Sequence, residues 1–125
     1  MTGLLCVGAG GALGAMGRYS LGLIPLGGEL PLMTLLINFL GSVAIGAIVE
    51  TSELAAGALP REAVLFLKVG LCGGFTTFST FSLETLELIE GGQYAIAGAY
   101  ALASVVLCVA GVLAGKMLTR ALMPT

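Results

Sequence analysis

The chain's 125 residues include 58% hydrophobic and only 10% charged side chains, with no histidine, no tryptophan and a net charge of −2. With a mean hydropathy of +1.08, this composition offers no basic face for nucleic acid and no room for a soluble catalytic domain. It specifies an integral membrane protein, not an enzyme.

A bilayer core of about 30 Å is crossed by roughly 20 apolar residues in a helix. Four stretches meet that length, at about residues 4–24, 32–49, 63–83 and 94–118. The expected fold is therefore all-α, a single four-helix membrane domain over residues 1–125. Met1–Leu5 has no basic n-region, and its apolar run continues toward Arg18, so the N-terminus reads as a retained span and not a signal peptide. Arg18, in Gly14-Ala-Met-Gly-Arg-Tyr19, would cost about 2.5–3.5 kcal/mol at a helix centre, less near an end. It reads either as an interfacial anchor or as part of an electropositive vestibule that gathers anions.

Asn38 lies among apolar neighbours in Leu35-Leu-Ile-Asn-Phe-Leu40 of the second span. A buried amide needs a partner: either it bonds across to another helix, or it points an N–H at an anion. The third span holds Gly70-Leu-Cys-Gly-Gly-Phe-Thr-Thr-Phe-Ser-Thr-Phe-Ser82. Backbone loosened by glycine survives at membrane depth only where it is buried in protein or lines a cavity. The Gly-Gly-Phe-Thr-Thr stretch is expected to break the helix, so that the restarted half presents free N–H groups and a positive dipole end. Phe78 and Phe81, three apart, share a face; they are either core packing or rings offering electropositive edges beside Thr77, Ser79, Thr80 and Ser82. In the fourth span Tyr100, Ser104 and Cys108 recur every four residues along one face. That stripe is either a polar track or a Ser bonded to its own preceding turn with an interfacial Tyr.

Cys6, Cys72 and Cys108 are odd in number and lack CxxC spacing, so they read as small packing residues. Breakers punctuate the connections, as in Pro25-Leu-Gly-Gly-Glu-Leu-Pro31 and at Gly57 and Pro60. One side of the membrane would carry Arg61, Lys116 and Arg120, with Lys68 just inside the third span. The other would carry only Arg18. So slight a bias favours cytoplasmic termini weakly and leaves insertion both ways open. Gly10-x-x-x-Gly14, Gly111-x-x-x-Gly115, Gly41, Gly46 and Gly98 offer close-approach faces, and 20 glycines in all point to self-association.

Taken in order along four short spans, Gly14-Ala-Met-Gly-Arg-Tyr19, Asn38-Phe-Leu-Gly41 and above all Gly73-Gly-Phe-Thr-Thr-Phe-Ser-Thr-Phe-Ser82 resemble the Fluc (CrcB) fluoride channels of bacteria. The resemblance covers nearly the whole chain. It implies passive fluoride export across the bacterial inner membrane, conferring fluoride resistance, by an antiparallel, dual-topology homodimer whose two pores are each lined by both subunits. Matched by motif, Phe78 and Phe81 would be the pore rings, with Asn38, Ser79 and Thr80 as donors and Tyr100, Ser104 and Cys108 as the polar track. Cys108 departs from the hydroxyl expected there, and a thiol is a weaker donor. Arg18 and Glu84 would stand at the vestibule. A structural sodium ion at the dimer centre would be held by the main-chain carbonyls of Gly73 and Thr76. Two other classes compete with this reading. A small proton-coupled drug exporter needs a carboxylate inside the membrane, whereas all seven Glu fall at or near span ends. A non-transporting scaffold leaves the Thr-Thr-Phe-Ser-Thr-Phe-Ser cluster without a purpose.

Overall fold

A computed structural model describes residues 1–124. Helix α1 runs over Thr2–Gly22 and α2 over Leu32–Leu54. A third helical stretch begins with α3 (Arg61–Val64), widens into a π-helical segment (Leu65–Cys72) and returns to one turn of α4 (Gly73–Phe75). After two extended residues the chain restarts as α5 (Phe78–Glu90), and α6 spans Tyr94–Leu122. No strand forms among the described residues. Three stretches, Leu32–Leu54, Arg61–Glu90 and Tyr94–Leu122, are long and apolar enough to cross a bilayer. Helix α1 ends two residues short of its expected span, whereas α2, the third stretch and α6 run past theirs, because charged and polar residues such as Glu50 and Glu87 continue the helix beyond the apolar run.

The helices pack as two main pairs, α1 against the π segment and α2 against α6. Glycine sets both contacts. A Cβ on Gly10 would run into the Phe66 carbonyl, one on Gly14 into the Leu71 carbonyl, and one on Gly74 into the Gly11 carbonyl. In the other pair, Gly46 lies against the Val112 carbonyl and Gly115 against the Val43 carbonyl. Without a hydrophobic drive between helices in lipid, such backbone proximity is what dispersion and weak C–H···O contacts require. The two GxxxG faces and Gly46 are thus spent inside the chain, and these glycines do not themselves argue for self-association. Among the glycines read as close-approach faces, Gly98 has open space around its α-carbon.

Glu50, 3% exposed near the end of α2, is clamped by α6: its Oε1 accepts from Arg120 Nε at 2.6 Å and its Oε2 lies 3.2 Å from Lys116 Nζ. Lys116 also reaches Glu53 at 3.4 Å. At the other end of the pair, Tyr100 is fully buried against Leu88 and Ala97, flanked by Leu30, Leu35, Phe81 and Ile96. Gly92, at φ +77°, makes the tight α5–α6 turn that brings Leu88 back over this cluster. Outward-facing Leu4, Leu102, Val106 and Leu113 are exposed, as apolar side chains facing lipid or another subunit are.

The close approach of α2 and α6 generates a test. Gly115→Ala forces a methyl group against the Val43 backbone and should cost about 1–3 kcal/mol of stability, whereas Gly98→Ala should cost nothing measurable. Unfolding in detergent micelles measures both; equal stability of the two variants would refute the packing.

Candidate functional site

The third helical stretch breaks at Thr76 and Thr77, not at the glycines before them. Thr76 (φ −82°, ψ 157°) and Thr77 (φ −150°, ψ 115°) are extended, while Gly73 keeps helical angles and Gly74 lies in the α4 turn. Both threonines are β-branched, which suits them to extended backbone. The glycines serve a different purpose, admitting α1.

Two extended residues inside an apolar crossing leave peptide groups that must find other partners. Thr76 N–H still donates to the Cys72 carbonyl at 3.0 Å. Thr77 N–H instead donates to Asn38 Oδ1 at 2.8 Å, and Asn38 Nδ2 donates to the Thr77 carbonyl at 3.1 Å. One side-chain amide thus satisfies both backbone groups of one residue. Thr77 also caps α5, its Oγ1 accepting from Thr80 N–H at 3.2 Å. Arg18 Nε donates to the Gly74 carbonyl at 3.2 Å, tying α1 to the same turn. Gly41 on α2 leaves the space that the Thr76 methyl fills.

The diversion of these donors leaves two carbonyls without their usual helical partners. In a continuous helix, Gly73 O would accept from Thr77 N–H and Thr76 O from Thr80 N–H. Here those amides turn to Asn38 and to Thr77 Oγ1. The described residues contain no cluster of three or more His, Cys, Asp or Glu able to hold a metal. The donors available to a cation at this place are therefore carbonyl and hydroxyl oxygens, the chemistry of a hard ion.

Two cavities meet at Thr77, which lines both. The larger, about 480 Å³, is walled by Asn38 and Ser42 on α2, Gly73 and Thr76 at the break, Phe78 and Phe81 on α5, and Ser104 and Cys108 on α6. The smaller, about 330 Å³, is bordered by Arg18 and Tyr19 on α1, Thr34 on α2, and Thr80 and Glu84 on α5. Asn38 spends Oδ1 and one Nδ2 hydrogen on Thr77, which leaves its second Nδ2 hydrogen beside the larger cavity. Ser104 Oγ is buried on that wall with no hydrogen-bond partner among the described residues. It does not bond back to its own preceding turn, whereas Ser42, Thr85 and Thr119 do. A buried hydroxyl left unpaired costs free energy, and an occupant able to accept its hydrogen would recover it.

The rings form a stepped stack. Phe78 and Phe81 lie 5.4 Å apart with planes tilted by 48°, and Phe81 lies 5.2 Å from Tyr100, tilted by 47°. Phe78 is 78% exposed. Glu84 accepts from Thr34 Oγ1 and from the Tyr100 hydroxyl, each at 2.7 Å, so one carboxylate ties together α2, α5 and α6.

The residues expected from sequence therefore divide three ways. Asn38, Gly73, Thr76, Phe78, Phe81, Ser104 and Cys108 come together on the larger cavity, while Arg18, Thr80 and Glu84 come together on the smaller. Ser79, exposed and 3.4 Å from Thr77 Oγ1, and Tyr100, turned toward Glu84, line neither. Sequence reasoning missed Thr34 and Ser42. The signal was present, since Thr34, Asn38 and Ser42 repeat every four residues and make a polar stripe on α2 equal to that of α6.

These features define a class: an all-α, multi-pass membrane protein with a broken helix between two partly polar cavities. Residues 5–116 match the family model described as CrcB-like protein, Camphor Resistance (CrcB), and the chain belongs to that family. It is 47% identical over 124 residues to the fluoride-specific ion channel FluC 1 of Nitrobacter hamburgensis, covering 97% of this chain and 98% of that one. It is 48% identical to the FluC of Nitrobacter winogradskyi, covering 95% and 96%. With the FluC of Geobacter sulfurreducens it shares 43% identity over 98% of this chain and all of the other.

The Asn38–Thr77 pairing can be tested alone. Asn38→Leu strands the N–H and C=O of Thr77 and should destabilise the fold by about 1–3 kcal/mol for each group left unpaired. Thermal unfolding in detergent reads this, and an unchanged midpoint would show that the break does not depend on the amide.

Proposed function

We propose that this protein is a fluoride-specific channel through which fluoride leaves the cell passively, so that its accumulation is prevented. The ion's identity rests on similarity over nearly the full chain to relatives named as fluoride-specific ion channels. The route rests on the geometry around Thr77. The observation that carries it is the buried, partnerless Ser104 hydroxyl on a cavity shared with the Phe78 and Phe81 rings.

Fluoride is small and strongly hydrated, so it enters a pore only where donors replace its water in stages. Arg18 draws the anion toward the smaller cavity, where Thr80 offers a hydroxyl and Glu84 is kept occupied by Thr34 and Tyr100. In the larger cavity the free Asn38 N–H, the Ser104 hydroxyl and the electropositive edges of Phe78 and Phe81 take over. Ser79 is assigned here as a donor reached along the same route, while Tyr100, its hydroxyl hydrogen given to Glu84, acts by holding that carboxylate. Cys108 closes the polar track with a weaker donor. Short, replaceable contacts favour fluoride over a larger, softer halide, in keeping with selectivity set by pore width and donor density.

The working unit in this reading is an antiparallel homodimer in the bacterial inner membrane, each subunit crossing four times and inserted in either orientation. The exposed Phe78 ring and the open side of the larger cavity support it, because a second copy laid against them would enclose the path. The slight charge bias supports dual insertion. The Gly73 and Thr76 carbonyls, relieved of their helical donors, would hold a structural sodium ion between the two broken helices. Bound there, it would supply fixed positive charge joining the subunits.

Purified protein in liposomes loaded with fluoride should release it rapidly without a proton gradient, while a chloride load is retained. Phe78→Ile and Phe81→Ile should each abolish fluoride release while the dimer persists on size exclusion, and Ser104→Ala should slow it. A fluoride electrode reads all four proteins. Undiminished release from both phenylalanine variants would sink the ring-mediated route, and silence from well-folded wild type would sink the channel itself.

A further inference from the structure

Of the five Lys and Arg side chains, three have partners: Arg18 donates to Gly74 O, and Lys116 and Arg120 clamp Glu50. Arg61 lies on neither cavity. Lys68 differs from all of these. It is exposed, has no carboxylate within ion-pair distance among the described residues, and is the one charged side chain on the wall of the larger cavity.

Its position in that cavity follows from the helices. Along α2 the lining residues run from Asn38 through Ser42 to Ile45, toward the Glu50 end, and along α6 from Ser104 to Val109, toward Lys116. The third stretch enters from that same end at Arg61, so Lys68 lies at the end of the larger cavity away from Arg18 and Glu84. Lys68 and Cys72, four apart in the π segment, face the cavity, while Gly70 between them is pressed against Gly10 and Gly11 of α1. The smaller cavity carries opposite charges, Arg18 and Glu84; the larger carries one cation with nothing to cancel it. A four-carbon stem lets the ammonium reach toward water while its base stays at the wall.

We propose that Lys68 is the anion-gathering residue of the larger cavity, raising the local fluoride concentration at the end of the path opposite Arg18. This rests on the channel reading above and assigns a rate-setting side chain within it. A charge at a low-dielectric mouth acts through space, so its effect on entry falls as salt screens it. No contact between the ammonium and the ion in the narrow part of the path is required.

The test is initial fluoride efflux from proteoliposomes at sub-saturating fluoride for wild type, K68R, K68Q, K68M and K68E, with ionic strength raised from about 0.01 M to about 1 M, where the screening length shrinks from roughly 30 Å to roughly 3 Å. At low salt, K68Q and K68M should be several-fold slower than wild type, K68E slower again, and K68R equal to wild type. At high salt the five should converge. K68M keeps the aliphatic stem and stands in for K68Q if the amide variant fails to assemble. Wild-type efflux must itself slow as salt rises; efflux independent of salt overturns the proposal whatever the variants do. Equal rates of wild type and K68Q or K68M at low salt overturn it too, as does a deficit that persists at high salt. In each of these cases wild type still conducts and the channel reading stands; a wild type that releases no fluoride removes both.

Discussion

Everything around the candidate pathway depends on how the chain satisfies the peptide groups of Thr77 inside a hydrophobic crossing. An extended residue at membrane depth has no water to bond and no helical neighbour in reach. Asn38 answers with both ends of its amide, accepting from the Thr77 N–H and donating to its carbonyl. That pairing fixes α2 against the break and sets where α5 restarts. It also decides which carbonyls, those of Gly73 and Thr76, are left without the helical donors they would otherwise have. A hydrocarbon side chain of similar size at position 38 would fill the volume and do none of this.

Around the junction the polar groups are sorted by whether they are already engaged. The Glu84 carboxylate is taken by Thr34 and Tyr100, Ser42 is bonded back to its own helix, and Arg18 holds the Gly74 carbonyl. What stays free is a hydroxyl on Ser104, one hydrogen of Asn38, ring edges and the Lys68 ammonium. Apart from the Gly73 and Thr76 carbonyls, the unengaged groups on the larger cavity are thus hydrogen donors or cationic, and the Glu84 carboxylate on the smaller cavity has both oxygens occupied by hydroxyl donors. This is an anion's environment in a protein with a net charge of −2, which shows how little the overall charge says about a local site.

Much of this was legible from residue types. Composition alone defines an all-α membrane protein, and the Gly73–Ser82 motif marks where the backbone departs from a helix. The break falls at the Thr-Thr end of the Gly-Gly-Phe-Thr-Thr stretch, because the glycines have a second use, admitting a neighbouring backbone, that leaves the same letters in the sequence. For the same reason the GxxxG faces suggested a partner subunit when their partners were helices of the same chain. The Glu50–Arg120 clamp was not legible, since the two residues are 70 apart and nothing local links them. Nor was the π segment: Leu65–Cys72 is an ordinary apolar run, and nothing local in it marks the widening of the helix that packs against α1. Thr34 and Ser42 were legible by spacing and were overlooked beside the more conspicuous Asn38.

The buried Glu50 has a consequence for how the chain is assembled. Helix α2 leaves the ribosome early, and the cations that its carboxylate needs arrive only with the last turns of α6. Until then the Glu50 carboxylate lacks the two cations that hold it in the finished fold. The α1–π pairing, joined over a shorter stretch of chain, has no such wait. The last turns of α6 thereby complete the ionic partners of α2, after the Asn38–Thr77 pairing has its own residues in place.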